Sequence, residues 1–160
     1  KALVYTFAAV NVLSGALTTR LIDSPARATA KTGKSKTRRL QEAFAKHLRD
    51  IARTYPADQH AFVVLTIDNA PWHRGRLINE VLDEFPHLKL YRLPSYSPRF
   101  NVIERLWKLL RRRATHNRFF ATVAELRRAL RASLCYFQTL RHRILSLISA
   151  PKAVVNPAAS

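Results

Sequence analysis

The sequence predicts an α/β fold in which helices cover both faces of a mixed β-sheet. Two strand-like segments open the chain at residues 3–22, and a continuous apolar run of strand length follows at residues 62–67. Helical periodicity separates these strands and continues after them. Strands that alternate with helices pack as a covered sheet, because each element must bury its apolar side against another layer.

Length and composition indicate one folded domain. The 160 residues are 48% hydrophobic, which is enough for a substantial core. We place the domain at residues 1–150 and expect residues 151–160 to be a disordered tail. The sequence contains no methionine and therefore no initiator residue. We expect it to be a piece of a longer protein.

The charge balance indicates a polyanionic partner. Lys and Arg number 28 against 10 Asp and Glu, for a formal net charge of +18. Nucleic acid is the simplest such partner, because each neutralised phosphate releases counterions; a ribosome-like or merely soluble basic protein is the alternative. The single Cys135 cannot form an internal disulfide, and no apolar run approaches the roughly 20 residues of a membrane span. We expect a reduced, cytoplasmic setting and no membrane.

In the first half, local patterns predict a hairpin and one helix. Residues 4–12 and 16–22 are rich in β-branched and aromatic side chains, and the turn residues Ser14-Gly15 separate them. Residues 23–39 are polar and cationic, which fits either a solvated loop or an arm lying along phosphates. The helix that follows ends before Pro56. Its apolar stripe consists of Leu40, Phe44, Leu48, Ile51 and Tyr55.

In the second half, strands and helices alternate. The run at 62–67 predicts a strand buried on both faces. We expect a helix closed by Pro86, a strand over residues 88–93, a loop at 94–98 and a helix opened by Asn101. Thr122 and Glu125 form a capping-box pattern before another helix, and a last helix covers residues 139–149.

Two acids occupy positions where chemistry is expected. Asp68 ends the apolar strand, and ligand crevices of open α/β sheets form at the carboxyl ends of strands. Glu104 follows after 35 intervening residues, beyond one further strand and a loop that would return the chain to the same crevice. Two converging carboxylates would suit Mg²⁺, and two such ions would activate a phosphodiester.

Structural roles explain the same two acids. Asp68-Asn69 fits an Asx turn at the end of a strand. Glu104 stands three residues after Asn101, which fits a capping box, and four before Lys108, which fits a surface ion pair. Spacing alone leaves these alternatives open.

Longer motifs surround both acids. The first is Asp68-Asn-Ala-Pro-Trp-His73, and the second is Leu93-Pro-Ser-Tyr-Ser-Pro-Arg-Phe-Asn-Val-Ile-Glu-Arg-Leu-Trp107. They resemble the downstream motifs D-N-x-x-x-H and P-x-Y-S-P-x-x-N-P-I-E-x-x-W of DDE transposases, in the mariner-type superfamily and its bacterial insertion-sequence branch. The segment Thr115-His-Asn-Arg-Phe-Phe120 is similar to the sequence beyond the family's Glu.

This resemblance implies an RNase H-like fold that cleaves and joins DNA strands at transposon ends with two Mg²⁺ or Mn²⁺ ions. Asp68 would be the second acid of the catalytic triad and Glu104 the third, and both would bind metal. Asn69 and His73 would shape the turn around Asp68. The residues implied to set the loop before Glu104 are Tyr96, Ser97, Pro98 and Asn101. The implied partners are transposon-end and target DNA and a second copy of the enzyme, at the bacterial nucleoid.

The sequence departs from the family pattern in three ways. Val102 stands where the family has Pro, and Arg99 stands where an acid is common. The family's first acid lies on a strand upstream of a hairpin, and this chain begins at the hairpin. We therefore expect the first strand and acid to be missing, with a gap or rearranged pairing in the sheet and no activity of this chain alone. Asp23, beside the hairpin exit, is a poor substitute.

The cations are expected to position DNA through its phosphates without reading sequence. Arg111, Arg112 and Arg113 end the Glu104 helix, where they also complement the helix dipole. The expected phosphate contacts are Lys31, Lys34, Lys36, Arg38, Arg39, Arg99, Arg111, Arg112, Arg127, Arg128 and Arg131. Glu42 and Asp50 are expected on the solvated side of their helix.

Two other functions stay open. The chain would be a non-catalytic basic DNA-binding module left from a truncated transposase, or an RNase H-type nuclease acting on RNA–DNA hybrids. The Tyr-Ser-Pro-to-Glu motif argues against the hybrid nuclease. A binding module would keep salt-dependent DNA affinity after both acids are replaced.

Overall fold

A computed structural model describes residues 3–24, 35–94 and 102–149, apart from the side chains of Leu3 and Ser24. The strands are β1 (Leu3–Val10), β2 (Leu17–Ser24), β3 (Val63–Ile67) and β4 (Leu88–Arg92). The helices are α1 (Lys36–Thr54), α2 (Arg76–Glu84), α3 (Ile103–Ala114), α4 (Val123–Thr139) and α5 (Arg141–Ser149), with a short 3₁₀ turn at Pro71–His73.

The predicted hairpin is confirmed. β1 and β2 pair antiparallel, from Leu3 opposite Ser24 to Val10 opposite Leu17. The side chain of Asn11 organises the turn, since its Oδ1 accepts hydrogen bonds from the backbone N–H groups of Leu13 (2.9 Å) and Ser14 (3.0 Å).

The first core cluster lies between α1 and the parallel pair of strands. Ser35 caps α1 by accepting a hydrogen bond from the Arg38 N–H at 3.2 Å, and the predicted stripe of α1 is buried at Leu40, Phe44, Leu48 and Ile51. β3 and β4 pair parallel with Val63 opposite Leu88, and α2 connects them. The side chains of both strands that face α1 and α2 complete this cluster.

The prediction that residues 62–67 are buried on both faces is wrong. The strand begins at Val63, and its side chains alternate, with Val64 and Thr66 exposed. Phe62 and Tyr91 are exposed as well. An unbroken apolar run does not reveal which face of the strand is covered, because apolar and polar residues do not alternate along it. The predicted strand over 88–93 ends at Arg92, and Leu93 is buried just beyond it.

The sequence predicts a mixed sheet that has a gap or a rearranged pairing. Within the described ranges the strands make two separate two-stranded sheets, β1–β2 and β3–β4. The hairpin nevertheless joins the two halves through its side chains. Phe7 and Ala9 pack on the α1 cluster, whereas Val4, Val10 and Leu17 pack on a second cluster.

This second cluster is formed by α3, α4 and α5 against the hairpin. Leu106 and Leu110 of α3 are buried there together with Leu134 of α4 and Ile144 of α5.

The predicted capping box is confirmed in part: the Glu125 N–H donates to Thr122 Oγ1 (3.2 Å), and the Glu125 carboxylate accepts from the Ala121 N–H (3.0 Å). The last helix begins at Arg141 rather than at residue 139. No helix in the described part of the chain is both long and apolar enough to cross a membrane.

Candidate active site

Asp68 lies directly after β3, where the backbone turns away from the sheet. Its Oδ1 accepts a hydrogen bond from the Ala70 N–H at 3.0 Å and lies 2.9 Å from Nδ1 of His73. The Asx turn considered from the sequence is therefore present. It occupies only one carboxylate oxygen: the side chain is 58% exposed, and Oδ2 has no hydrogen-bond partner among the described residues. Within the part of the chain that the structure describes, the structural role thus leaves one oxygen free for a ligand.

His73 contacts both the carboxylate and the backbone carbonyl of Asp68. Its Nδ1 faces two acceptors, the Asp68 carboxylate and the Asp68 carbonyl oxygen at 3.3 Å, so this nitrogen carries the proton and donates. The ring is buried and packs against Phe44 with 4.2 Å between ring centroids. Burial lowers the pKa of His73 below its ordinary value, Asp68 opposes that shift, and Arg92 adds to it. His73 is therefore a neutral donor at pH 7.

Asn69 fastens the same turn to the neighbouring strand. Its Nδ2 donates to the carbonyl oxygen of Leu93 at 2.7 Å, while the Leu93 N–H donates to the Ile67 carbonyl at 2.8 Å. These two bonds extend the β3–β4 pairing past the last paired residues. Asp68 therefore stands on a backbone that is tied on both sides.

The sequence analysis did not identify three residues that support the backbone around Asp68. The Arg92 guanidinium donates to the carbonyl of His73 (2.8 Å), and the Arg74 guanidinium donates to the carbonyl of Asn69 (3.2 Å). Gln41 of α1 donates to the carbonyl of Arg74. The parallel register places Arg92 opposite Ile67 and so beside Asp68. Only the β3–β4 register brings Arg92 beside Asp68, and the sequence alone does not specify that register.

Glu104 is the second residue of α3 and is exposed. The helix has Val102 as its N-cap, with no side-chain hydrogen bond to the cap, and Glu104 makes no ion pair with Lys108 within the described residues. The i,i+4 pair is not seen among the described residues, and the capping box with Asn101 lies outside them. The acid instead sits in the first turn, where the helix dipole favours a negative charge by about 0.3–1 kcal/mol.

The two acids belong to different halves of the core. Asp68 follows Ile67 of the α1 cluster, whereas Glu104 lies between Ile103 and Leu106 of the second cluster. The predicted loop residues that connect these halves lie outside the described residues; they are Tyr96, Ser97, Pro98, Arg99 and Asn101.

The donor chemistry fits a hard divalent cation, because carboxylate oxygens are the ligands that Mg²⁺ and Mn²⁺ prefer. The set is incomplete, however. Across residues 3–24, 35–94 and 102–149, no three His, Cys, Asp or Glu side chains form a group that could hold a metal ion.

The other acids near the hairpin and α1 have structural partners. Asp23 pairs with Arg127 at 2.6 Å and Asp50 pairs with Arg20, each through a carboxylate oxygen. Glu42 lies 3.4 Å from Arg38. The expectation that Asp50 is simply solvated is wrong, because α1 packs close enough to the hairpin for Arg20 to reach the Asp50 carboxylate. Glu42 is half-buried beside Arg38 on the polar side of its own helix. Asp23 is engaged in a link between the hairpin and α4.

The predicted DNA-contacting cations fall into three groups. Lys31 and Lys34, like Arg99, lie outside the described residues. Lys36 sits 5.2 Å from the ring centroid of Tyr5, and Arg38 and Arg127 are engaged in the ion pairs given above. The cations without an ion pair among the described residues are Arg39, Arg111, Arg112, Arg128 and Arg131. Of these, Arg111, Arg112, Arg128 and Arg131 are exposed.

Comparison with known proteins identifies one similarity. Residues 26–127, well over half of the chain, match the model of a family described as DDE superfamily endonuclease. The match includes both acids and the turn at residues 68–73. A search of curated proteins finds no match.

Proposed function

Because the chain belongs to the DDE superfamily endonucleases, we propose that it is part of the catalytic domain of a transposase of the mariner type, from a bacterial insertion sequence. The parent enzyme cleaves and joins DNA strands at transposon ends. The observation that carries this proposal is the half-engaged carboxylate of Asp68, which is held through Oδ1 while no described residue engages Oδ2.

In this proposal Asp68 and Glu104 are ligands of a divalent metal ion. When bound, such ions polarise the scissile phosphodiester and lower the pKa of the attacking water or 3′-hydroxyl. The Ala70 N–H and His73 hold one oxygen of Asp68, which restrains the carboxylate and would leave its other oxygen available to the cation. Neutral His73 adds no positive charge that would compete with the metal.

The site requires a third acid, and we place it on a strand supplied from outside this sequence. The separation of the β1–β2 and β3–β4 sheets supports this placement. β1 and β3 each pair on one side in the described residues, and Phe7 of β1 packs on the same α1 cluster as Ile67 of β3. A strand inserted between these two edges would complete an RNase H-like sheet and bring its acid beside Asp68.

Supercoiled-plasmid nicking tests the proposal. We expect no Mg²⁺-dependent nicking by residues 1–160, and nicking once the native upstream segment is joined to Lys1. In the extended protein, Asp68→Asn and Glu104→Gln should each abolish nicking, while Asp58→Asn, at an exposed acid of the α1–β3 loop, should leave it unchanged. Nicking by the isolated chain that depends on Asp68 would contradict the missing acid. Nicking that survives Asp68→Asn would contradict the site.

A non-catalytic DNA-binding module is the second candidate. Arg111 and Arg112 favour it, since both are exposed and neither forms an ion pair in the described ranges. Such a module would retain salt-dependent DNA affinity in the Asp68→Ala/Glu104→Ala double variant and would stay inactive when extended upstream. The same plasmid assay therefore separates the two candidates.

A further inference from the structure

The turn between α3 and α4 presents a phenyl ring to solvent. Phe119 is 92% exposed, more than any other large hydrophobic side chain in the described residues. Its neighbour Phe120 is half-buried, with the Arg118 guanidinium 5.5 Å from the centre of that ring. Of two consecutive phenylalanines, one is therefore covered and the other is displayed.

Hydrogen bonds hold the backbone on both sides of Phe119. The N–H groups of Thr115 and His116 donate to the Arg111 carbonyl at 3.0 and 2.9 Å, which closes α3. Asn117 takes a positive φ of 53°. On the other side, the Glu125 carboxylate accepts the Ala121 N–H. The exposure of Phe119 is therefore a property of a defined turn, whose backbone presents the ring to solvent.

A row of charged side chains leads to this turn along α3. Lys108, Arg111 and Arg112 are exposed, and none of them forms an ion pair with a residue that the structure describes. They follow Glu104 at helical spacings of three and four, so all four side chains share one face. At 1.5 Å per residue, the row runs about 16 Å from Glu104 to Thr115. A strand with the B-DNA spacing of about 3.4 Å covers that length with about five nucleotides, and a more extended unpaired strand covers it with fewer.

We propose that this face of α3 and Phe119 form a track for an unpaired DNA strand, with Lys108, Arg111 and Arg112 on its phosphates and Phe119 stacked on a base within about five nucleotides of Glu104. The assignment of the strand's other end to Glu104 rests on the proposed function. Charge complementarity selects a polyanion, and an isolated phenyl ring offers a π-face that any unpaired base can stack on. Bases inside a duplex are already stacked on each other and do not offer theirs.

Single exposed apolar side chains are common on protein surfaces and often do nothing. Leu13 provides the matched case in this chain. It is 88% exposed in the hairpin turn, and no Lys or Arg lies among its nearest neighbours in sequence, Asn11 to Gly15. A Leu13→Ala variant therefore removes an equally exposed apolar group from a neutral setting.

The test measures binding of residues 1–160 to two fluorescein-labelled DNAs, a blunt duplex and the same duplex with an eight-nucleotide single-stranded overhang. We expect Phe119→Ala to weaken overhang binding about tenfold and blunt-duplex binding less than twofold, because a stacked base contributes a factor of this size. Phe119→Trp should retain overhang binding, and Leu13→Ala should change neither affinity. Equal effects of Phe119→Ala on both DNAs, or no effect, would overturn the stacking role.

A second measurement tests the track itself. Replacing Lys108, Arg111 and Arg112 by Ala should lower the slope of log affinity against log salt on the overhang DNA by about 2, since each lost phosphate contact removes about 0.7. An unchanged slope would contradict the track. The alternative partner of Phe119 is a second copy of this chain, and sedimentation of wild type and Phe119→Ala measures whether the chain forms dimers. A dimer that Phe119→Ala dissociates would assign the ring to a protein contact and overturn the proposal.

These outcomes are independent of catalysis. The binding measurements involve no strand cleavage, so failure of the nicking assay leaves the track standing. Loss of the Phe119 effect, conversely, leaves the assignment of Asp68 and Glu104 untouched. A 2-aminopurine placed in turn at each overhang position locates the stacked base, because stacking quenches its fluorescence. Quenching at no position would contradict the proposal.

Discussion

His73 and Asp68 form one unit: Nδ1 of the buried imidazole lies 2.9 Å from Oδ1 of Asp68 and 3.3 Å from the Asp68 carbonyl oxygen, and no described residue bonds the second carboxylate oxygen. The sequence motif D-N-x-x-x-H therefore encodes a physical arrangement. His73 lies five residues after Asp68, on the 3₁₀ turn Pro71–His73. This turn returns the imidazole ring to Asp68 at the end of β3. Its packing against Phe44 fixes the ring, and the ring fixes the carboxylate.

We expect His73→Ala to lower the free energy of unfolding by about 2 kcal/mol, through the lost packing on Phe44 and the lost hydrogen bond. Urea denaturation measures this difference. His116→Ala, at an exposed histidine, should stay within about 0.5 kcal/mol of wild type. A double-mutant cycle with Asp68→Ala should give a coupling of about 1 kcal/mol. Additive effects would mean that the two side chains act independently.

His47 predicts how stability depends on pH. It is 3% exposed and its Nδ1 has no hydrogen-bond partner. Burial lowers the pKa of His47 from 6.5 to about 4, Asp50 opposes the shift, and Arg20 and His73 add to it. The unfolded chain therefore takes up the proton first as the pH falls. The free energy of unfolding should begin to fall below pH 6.5 and lose about 3 kcal/mol by pH 4, with His73 acting in the same direction.

Urea denaturation between pH 7 and pH 4 measures this slope. His47→Leu should flatten it and cost little at pH 7, because the histidine leaves a buried nitrogen unsatisfied there. The exposed His116→Ala is again the control and should retain the full slope. If His47→Leu retains it as well, the pH dependence arises from another group.

Local patterns were sufficient to predict most elements of this fold. The hairpin, α1, α2 and the capped α4 follow from apolar periodicity and from turn and cap residues, all of which act within a few positions. The pairing of strands could not be predicted in the same way. The run at 62–67 gives no alternation from which to infer an exposed face, and the separation of β3 from the hairpin depends on contacts distant in sequence.

The candidate site shows the same division. The motif predicted Asp68, Asn69 and His73 together, and the structure places them in one hydrogen-bonded turn. Gln41 and Arg92 escaped prediction because α1 packing and the β3–β4 register bring them there from 27 and 24 positions away, respectively, from Asp68 in the printed sequence. Such contacts become visible only when the chain is folded.

Asn69 should be important for the position of Asp68. Its amide donates to the Leu93 carbonyl at 2.7 Å, so Asn69→Ala leaves that partly buried acceptor unpaired. We expect a loss of about 1–2 kcal/mol in the free energy of unfolding. Asn79→Ala, on the exposed side of α2, should be neutral or slightly stabilising because Ala has the higher helix propensity. Equal stabilities of the two variants would show that the strand ends are held without Asn69.

Gly75 connects the Asp68 turn to α2 and is the most constrained glycine near the site. Its φ of 106° is one that L side chains rarely adopt, and an added Cβ would meet the side chain of Gln41. Gly75→Ala should therefore lower the free energy of unfolding by about 1–3 kcal/mol through backbone strain and crowding.

The variant Gln41→Ala separates these two causes. Alone, it removes the hydrogen bond from Gln41 to the Arg74 carbonyl and should cost about 1 kcal/mol. Combined with Gly75→Ala, it removes the crowding and leaves the strain. We therefore expect the double variant to be more stable than the sum of the single effects predicts, as measured by urea denaturation. Strict additivity would assign the whole cost of Gly75→Ala to its backbone, because the Gln41 side chain would then have moved aside freely.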